Sequence, residues 1–411
     1  MNALPRLNLP VAIFGLYCLA IAIFVTGCQQ ENTGPIVPEP IPCGDASAVN
    51  LSRFSISSHL GPKVVEGRDT VLPGIVWAKG DSVLDFFGGK DIKVVFTIGR
   101  NLYLTTYTHG EPVVTLLSHA DESVGGSIGS INSPLLSPDG KKIVFAGTTA
   151  GKPTFIQDAV PGGVPAWRTP LESRRIHVAA DPHWHVEGNK TWIYFATLAG
   201  FVSYSDHCAQ VLGNTYRIEV IDDTTMGQIT ATGIAGAYRG GISQDGLWAG
   251  TSYAQSALFN TTQDSTRILA NGQQQCNASM NPYPTGSKHT DYMMVLAFGS
   301  VPYHSIDGRL LTEKQHENLW IYNKDDKIVW QAWSQPLGFL RWDKPEWSTH
   351  PDFATAVGVY TESSSTGDLV AVKIGDLANA DEGELNQAVG YLKLASGGMT
   401  SESYSHLWVA P

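Results

Sequence analysis

Short runs of alternating hydrophobic and polar residues, separated by turn sequences, recur along most of this chain. The clearest run covers residues 133–147 (SPLLSPDGKKIVFAG), where Asp139-Gly140 can supply the positive-φ turn between two antiparallel strands. Ile143 and Phe145 then share one face of the second strand, because side chains alternate along a strand. This segment is predicted to form a β-hairpin.

Related runs occupy residues 181–195 and 240–250, and looser versions occupy 276–298 and 344–357. Between them lie second hairpins, predicted at 101–107 with 112–117, at 216–221 with 228–232, and at 318–322 with 327–331. Two hairpins per repeat make a four-stranded antiparallel sheet, and a radial array of such sheets is a β-propeller.

The repeat length predicts the number of sheets. Ser137, Ser243 and Ser348 occupy equivalent turns and lie 106 and 105 residues apart, each interval spanning two repeats. At about 53 residues per blade, an all-β propeller over residues 50–411 has six blades, with seven as the alternative if residues before 90 complete another. The last strand, at 406–410, is expected to close the ring. One helix is predicted, at 384–392, from the spacing of Leu385, Ala388, Val389 and Leu392.

The turn from Ser137 to Gly140, Ser-Pro-Asp-Gly, resembles the turn carried by blades of the TolB-like, WD40-like repeat family. This resemblance implies the propeller fold. It also implies, less directly, that the protein is located in the cell envelope. TolB itself has an additional N-terminal α/β domain, for which the roughly 40 residues before the first repeat are too few, so a Tol role is not expected. Segments 240–246 and 345–354 are also similar to uncharacterised paralogous lipoproteins of fibre-degrading bacteria.

The N-terminus carries the signals of a lipid anchor. Arg6 precedes an apolar run at 11–25, which has the length of a signal-peptide core and is short for a membrane span. The sequence Val-Thr-Gly-Cys ending at Cys28 resembles the lipobox of bacterial lipoproteins, which implies cleavage after residue 27 and diacylglycerol on the Cys28 sulfur. The alternatives are an uncleaved anchor helix and an ordinary signal peptide. Residues 28–49 then form a proline-rich tether, and Gln29 in place of Asp favours the outer membrane.

The composition excludes one class of binding partner. Only 16% of residues are charged, the net charge is −11, and no Lys/Arg cluster occurs that could neutralise phosphates, so nucleic acid is not an expected partner. Apart from the acyl lipid, no cofactor is predicted. Of the five cysteines, Cys208 and Cys276 are the preferred disulfide pair in an oxidising compartment.

Two sets of residues are candidates for chemistry. Asp181, His183 and His185 alternate along a predicted strand and could hold a divalent metal, although His185 also stands where the repeat has its turn serine. Trp330, Trp333 and Trp342 offer flat faces to sugars or peptides, with packing between blades as the alternative. The Gly-x-Ser-x-Gly pattern at 125–129 is not expected to be catalytic, because no helix follows it.

We therefore predict a lipid-anchored envelope propeller that binds a protein or a glycan without catalysis. Two alternatives stay open. One is a metal-dependent carbohydrate lyase or hydrolase using His183 and His185, since oligogalacturonate lyases are propellers with a histidine-rich metal site. The other is a structural protein that assembles at the cell surface.

The anchor is tested by the change Cys28→Ser. We expect this variant to move from the membrane pellet to the soluble fraction, because the sulfur that receives the lipid is lost. Fractionation by ultracentrifugation and metabolic labelling with a palmitate analogue measure this. The control, Cys43→Ser, lies in the same tether and should stay in the pellet. Continued pelleting of the Cys28→Ser protein would contradict the anchor.

Overall fold

Strands account for most of the described chain and are arranged as six antiparallel sheets. The computed structural model describes residues 57–58, 72, 74–99, 101–107, 112–118, 131–147, 154–160, 165–168, 176–199, 214–222, 226–235, 239–251, 256–263, 265–270, 275–284, 286–298, 302–312, 314–361, 366–380, 383–401 and 403–411. All of them belong to one unit, Ile41–Pro411. No helix among these described residues is long and apolar enough to cross a membrane.

The elements before the third blade include the predicted hairpins at 101–117 and 133–147. The chain opens with β1 (Ser57–Ser58), β2 (Val76–Trp77) and helix α1 (Gly80–Phe86). Blade 1 contains β3 (Ile92–Ile98), β4 (Asn101–Tyr107) and β5 (Val113–Ser118). Blade 2 contains β6 (Ile131–Leu136), β7 (Lys142–Gly147), β8 (Thr154–Asp158) and β9 (Pro165–Arg168).

The next three blades repeat this meander. Blade 3 contains β10 (Ile176–Glu187), β11 (Lys190–Ala199), β12 (Asn214–Val220) and β13 (Thr230–Ala235). Blade 4 contains β14 (Arg239–Ile242), β15 (Trp248–Thr251), β16 (Ala257–Asn260) and β17 (Ser265–Ile268). Blade 5 contains β18 (Cys276–Met280), β19 (Met293–Leu296), an inserted hairpin of β20 (Tyr303–His304) and β21 (Leu310–Leu311), then β22 (Asn318–Tyr322) and β23 (Ile328–Trp333).

The last elements form blade 6, add one edge strand (Asn386–Gln387) to blade 5 and return to blade 1. After a 3₁₀ turn at Gln335–Leu337 come β24 (Arg341–Trp347), β25 (Phe353–Val359), β26 (Gly367–Lys373), β27 (Asn386–Gln387), β28 (Gly390–Met399) and β29 (Ser405–Val409). Strand β29 pairs with β3, with His406 opposite Val95 and Leu407 opposite Val94, so the C-terminus supplies the inner strand of blade 1. The predicted closing strand is confirmed, and the fold is a six-bladed β-propeller.

The described residues before β3, which are 57–58, 72 and 74–91, do not form a seventh blade. They provide edge strands instead, since β1 pairs with β9 of blade 2 and β2 pairs with β28 of blade 6. Helix α1 buries Val83 against the core that blades 1 and 6 share, and Phe87, just after the helix, packs 4.6 Å from the ring of Phe353. The N-terminal segment thus covers edges on both sides of blade 1.

The predicted helix at 384–392 is wrong. Strand β27 pairs in parallel with β23, and Tyr391 and Leu392 lie opposite Val372 and Ala371 in the ladder between β28 and β26. Val389, assigned to the apolar helix face, is 66% exposed. Pairing with neighbouring strands of the two sheets outweighs a local helical spacing, because each ladder satisfies backbone N–H and C=O groups that would otherwise lack hydrogen-bond partners at the sheet edges.

Equivalent turns between the first and second strands of blades 2 and 4 have the same hydrogen bonds. Ser137 Oγ donates to Asp139 Oδ1 at 2.6 Å and accepts the Lys142 amide at 2.9 Å. Ser243 Oγ donates to Asp245 Oδ1 at 2.6 Å and accepts the Trp248 amide at 3.0 Å. The serine and aspartate therefore fix the turn, which explains why this pair marks the repeat.

Indole N–H groups join neighbouring blades. Trp408 of blade 1 donates to the Pro138 carbonyl of blade 2 at 2.9 Å, and Trp342 of blade 6 donates to the Ala332 carbonyl of blade 5 at 3.1 Å. Trp184 of blade 3 donates to a carbonyl of blade 2 at 2.9 Å. These hydrogen bonds to main-chain carbonyls explain why tryptophan, and not phenylalanine, fills these positions.

His406 on the closing strand joins three blades. Its Nδ1 accepts a hydrogen bond from the Leu136 amide of blade 2 at 3.0 Å. The imidazole also forms a hydrogen bond with the backbone of Trp347 in blade 6. Burial and the neighbouring His183 lower the pKa of His406 to about 3, while the Trp347 bond acts in the opposite direction. The imidazole is therefore neutral at pH 7, as an Nδ1 acceptor must be.

Acid should weaken this junction. Because the folded pKa of His406 is below the ordinary value of 6.5, its contribution to stability is complete above pH 6.5 and is lost as the pH falls towards 3, with a limiting slope of about 1.4 kcal/mol per pH unit. We expect His406→Asn, which can accept the Leu136 amide, to be less stable than the wild type at pH 7.5 and to approach it at pH 4. Urea unfolding across this range measures the difference. A difference that does not change with pH would contradict the assignment.

Glycine is required in the turn of blade 2 for two reasons. Gly140 has φ +68°, and a Cβ there would lie 2.5 Å from Cε2 of Trp408. Gly246, in the equivalent turn of blade 4, has φ +72° and would meet nothing closer than 3.5 Å. We expect Gly246→Ala to cost the backbone penalty alone, about 1–2 kcal/mol, and Gly140→Ala to cost clearly more. Urea unfolding of both variants tests this, and equal losses would contradict the Trp408 clash.

Candidate functional site: the channel opening

Five inner strands are interrupted by bulges. The ladder between the first and second strands shifts register between Asn132 and Leu135, and at matching places in blades 3, 4, 5 and 6. Strand β29 of blade 1 pairs with β3 without a shift. A bulge re-aims the side chains beside it and commonly occurs next to a functional site.

Three of these bulges hold a non-glycine residue in the left-handed region of backbone space. Ser133, Asn277 and Lys344 have φ of +46°, +48° and +43°. Each stands four residues before the first residue that follows its inner strand, where the turn to the second strand begins, so the three positions are equivalent. A serine or lysine in this conformation costs on the order of 1–3 kcal/mol and persists only where the surroundings enforce it. The same strained position therefore carries a polar residue in three blades.

The equivalent positions converge on one opening at the centre of the ring, where the inner strands of several blades meet. Residues of β6, β10, β18, β24 and β29, together with Tyr404, line it. The opening lies towards the start of the inner strands, whereas the Ser-x-Asp turns lie at their ends. We call its polar side chains the channel cluster: Ser133, His183, Asn277, Lys344, Glu346 and Ser405.

The cluster contains opposite charges only two residues apart. The Lys344 ammonium lies 5.0 Å from the centre of the Tyr404 ring, a cation–π distance. Glu346 Oε1 accepts the Ser279 hydroxyl at 2.5 Å, and Ser279 Oγ in turn accepts the Trp347 amide at 3.0 Å. These contacts fix both charges at the wall of the opening, where they can act as one donor and one acceptor.

His183 reaches the opening because blade 4 has a glycine beside it. A Cβ at Gly241 would lie 2.5 Å from the His183 Cγ, and Gly241 itself has φ +71°. Any larger residue would therefore displace the imidazole. Strand β10 thus places His183 at the channel wall.

His185 lies elsewhere. It is 4% exposed, its ring makes an edge contact with Tyr194 at 5.3 Å, and burial lowers its pKa. It packs beside Gly246 in the turn of blade 4. The side chain of Asp181, the third candidate ligand, lies outside the described residues. Among the residues that the structure describes, no group of three or more His, Cys, Asp or Glu is placed to hold a metal ion.

The tryptophan candidates lie mostly in the core. Trp330 and Trp342 are both 0% exposed and donate to the carbonyls of Ile374 and Ala332, each at 3.1 Å. Trp333 is half-buried. Packing between strands and blades accounts for the first two rings, whose faces are covered by protein.

Two sequence predictions fall outside the described residues. Cys28 and the tether are not described, and neither are Cys208 and the side chain of its proposed partner Cys276. Conversely, the sequence reasoning missed most of the channel cluster. The available signal was a polar residue before proline or alanine at a constant distance from each turn, as in Ser133-Pro, Asn277-Ala and Lys344-Pro.

No protein-family model matches this chain. No curated protein matches its sequence either. Among solved structures it is similar to TolB from Acinetobacter baumannii, with 12% identity, a TM-score of 0.45 and coverage of 80% of this chain and 70% of that chain. It is also similar to apo AztD from Citrobacter koseri, with 8% identity, a TM-score of 0.37 and coverage of 78% and 98%.

A third similar structure is the dihydro-heme d1 dehydrogenase NirN, with 12% identity, a TM-score of 0.34 and coverage of 76% of this chain and 74% of that chain. At these values the similarity concerns the fold alone. The propeller assignment rests on the strand order of this chain, and function has to be argued from the site.

Proposed function

We propose that this protein is a non-enzymatic, lipid-anchored binding module of the cell envelope that holds a protein or a glycan at the channel opening. One observation carries the proposal. Ser133, Asn277 and Lys344 adopt the same strained backbone at equivalent positions and all line one opening. Three of the six non-glycine residues with positive φ in the described part of the chain thus share one opening, and backbone strain grouped in this way is typical of a functional site.

Binding suits the chemistry of the opening better than catalysis does. Glu346 is the single carboxylate among the described residues that line the opening, and it already accepts the Ser279 hydroxyl. Glycoside hydrolysis ordinarily uses two carboxylates on opposite sides of the bond. A catalytic zinc ordinarily has three protein ligands, and only one of the predicted histidines reaches this opening.

The proposed setting rests on the sequence. A lipid on Cys28 would hold the chain at the membrane, and the proline-rich tether at 28–49 would keep the propeller away from the bilayer surface. Because its net charge is −11, the chain would not adhere to anionic lipid by itself and would depend on that lipid anchor for attachment. The ligand is therefore expected to be another component of the envelope or its surroundings.

The proposal is tested by removing the two charges of the opening. Lys344→Asn removes the ammonium while keeping a residue that tolerates positive φ, and Glu346→Gln removes the negative charge at constant shape. The full chain in detergent is screened against a glycan microarray and a displayed heptapeptide library. We expect ligands whose binding weakens about tenfold or more in both variants.

The matched control is Lys141→Asn. Lys141 is an exposed lysine on the turn of blade 2, at the opposite end of the inner strands, and its loss should leave ligand binding unchanged. Ligands that bind both channel variants as well as they bind the wild type would contradict the proposed site. So would the complete absence of ligands in both screens.

A further inference from the structure

Three features of the opening indicate the class of its ligand, and no sequence motif predicts them. We propose that the channel cluster binds a carbohydrate, through neighbouring hydroxyl groups of a neutral sugar. This inference rests on the proposed function and names the ligand of that same site.

The first feature is the balance of charge. Lys344 and Glu346 line the opening together, and each is held by the protein, the lysine over Tyr404 and the glutamate by Ser279. An anionic ligand would be attracted by the Lys344 ammonium but repelled by the Glu346 carboxylate. A cationic ligand would be attracted by the carboxylate but repelled by the ammonium. A neutral group that both donates and accepts suits the pair. Two adjacent hydroxyls do so, because one can donate to the carboxylate while the other accepts from the ammonium.

The second feature is a hydroxyl in need of a partner. Ser405 lines the opening and is 4% exposed, and within the described part of the chain its Oγ has no hydrogen-bond partner. A buried hydroxyl without a partner is costly unless a ligand or a water supplies one. A sugar hydroxyl can both donate to Ser405 and accept from it.

The third feature argues against a peptide. Extended peptides gain most of their affinity by pairing main-chain groups with a free strand edge. Here two inward amides of the inner strands already have side-chain partners from the neighbouring blade. The Leu136 amide donates to His406 Nδ1 at 3.0 Å, and the Trp347 amide donates to Ser279 Oγ at 3.0 Å. Recognition at the opening therefore depends on side chains.

The remaining lining is apolar and compact. Pro134 and Pro345 stand beside two of the strained residues, and Leu135 and Ala278 complete the wall. Sugars present apolar C–H faces between their hydroxyls, and sites that bind small ligands combine such apolar surface with a few fixed polar groups.

The test uses the full chain in detergent and named probes. Maltose, cellobiose and N,N′-diacetylchitobiose represent neutral disaccharides, digalacturonate an acidic one, sodium acetate a simple anion, and a displayed heptapeptide library the peptides. Saturation-transfer NMR and titration calorimetry measure binding. We expect at least one neutral disaccharide to bind saturably, and its affinity to fall about tenfold or more in Glu346→Gln and in Lys344→Asn.

A third variant separates binding from folding. Ser405→Ala removes a buried hydroxyl that has no partner in the described chain, so its melting temperature should not fall, yet the affinity for the sugar should. Lys141→Asn, at the other end of the inner strands, should change neither quantity. A sugar affinity that is unaltered in Ser405→Ala and in both charge variants would overturn the inference.

The other outcomes have distinct meanings. Failure of all three neutral disaccharides to bind overturns the carbohydrate inference. Preference for digalacturonate or acetate, weakened by Lys344→Asn and strengthened by Glu346→Gln, identifies an anion site and also overturns it. Peptides that bind through Lys344 and Glu346 overturn it while leaving the proposed binding function in place. If no probe binding depends on these residues, both proposals fall.

Discussion

Ring closure is the constraint on which the rest of this structure depends. Six sheets can cover one another's faces only if the first and last meet, and the pairing of β29 with β3 brings this about by putting the C-terminal strand inside the N-terminal blade. An open ring would leave the inner edge of β3 unpaired and the core between blades 1 and 6 exposed. The edge strands β1 and β2 add pairing on both sides of the closed blade.

Closure also creates the candidate site. Only in a complete ring do the inner strands face a common centre, so residues more than 200 positions apart, such as Ser133 and Glu346, line one opening. The contacts that tie the blades together stand close to that opening. His406 joins blades 1, 2 and 6, and Ser279 joins blade 5 to both Glu346 and Trp347. Stability and recognition therefore share the same strands, with neighbouring residues serving each.

Much of the fold could be predicted from the chain because its signals are local. Asp139-Gly140 marks a turn by backbone preference, and alternating residues such as Ile143 and Phe145 mark a strand, so the hairpins and their spacing predict a propeller without any knowledge of contacts. The same local reasoning failed at 384–392, where β27 and β28 obtain their hydrogen bonds from strands that sequence spacing does not reveal. It also assigned no element to α1, which is stabilised by burying Val83 against two blades.

The sequence by itself determined the repeat, the turn chemistry and the presence of a last strand, because each of these is encoded by residues close together in the chain. The tertiary structure decided which polar residues line the channel opening and which are buried elsewhere. It separated His183, which lines the channel beside Gly241, from His185, which is buried between blades, and it covered Trp330 and Trp342 with protein. It brought Lys344, Glu346 and Ser405 to one opening. Bulges and ring geometry set these directions, and the ring geometry depends on pairing between strands far apart in the chain, which no local pattern encodes.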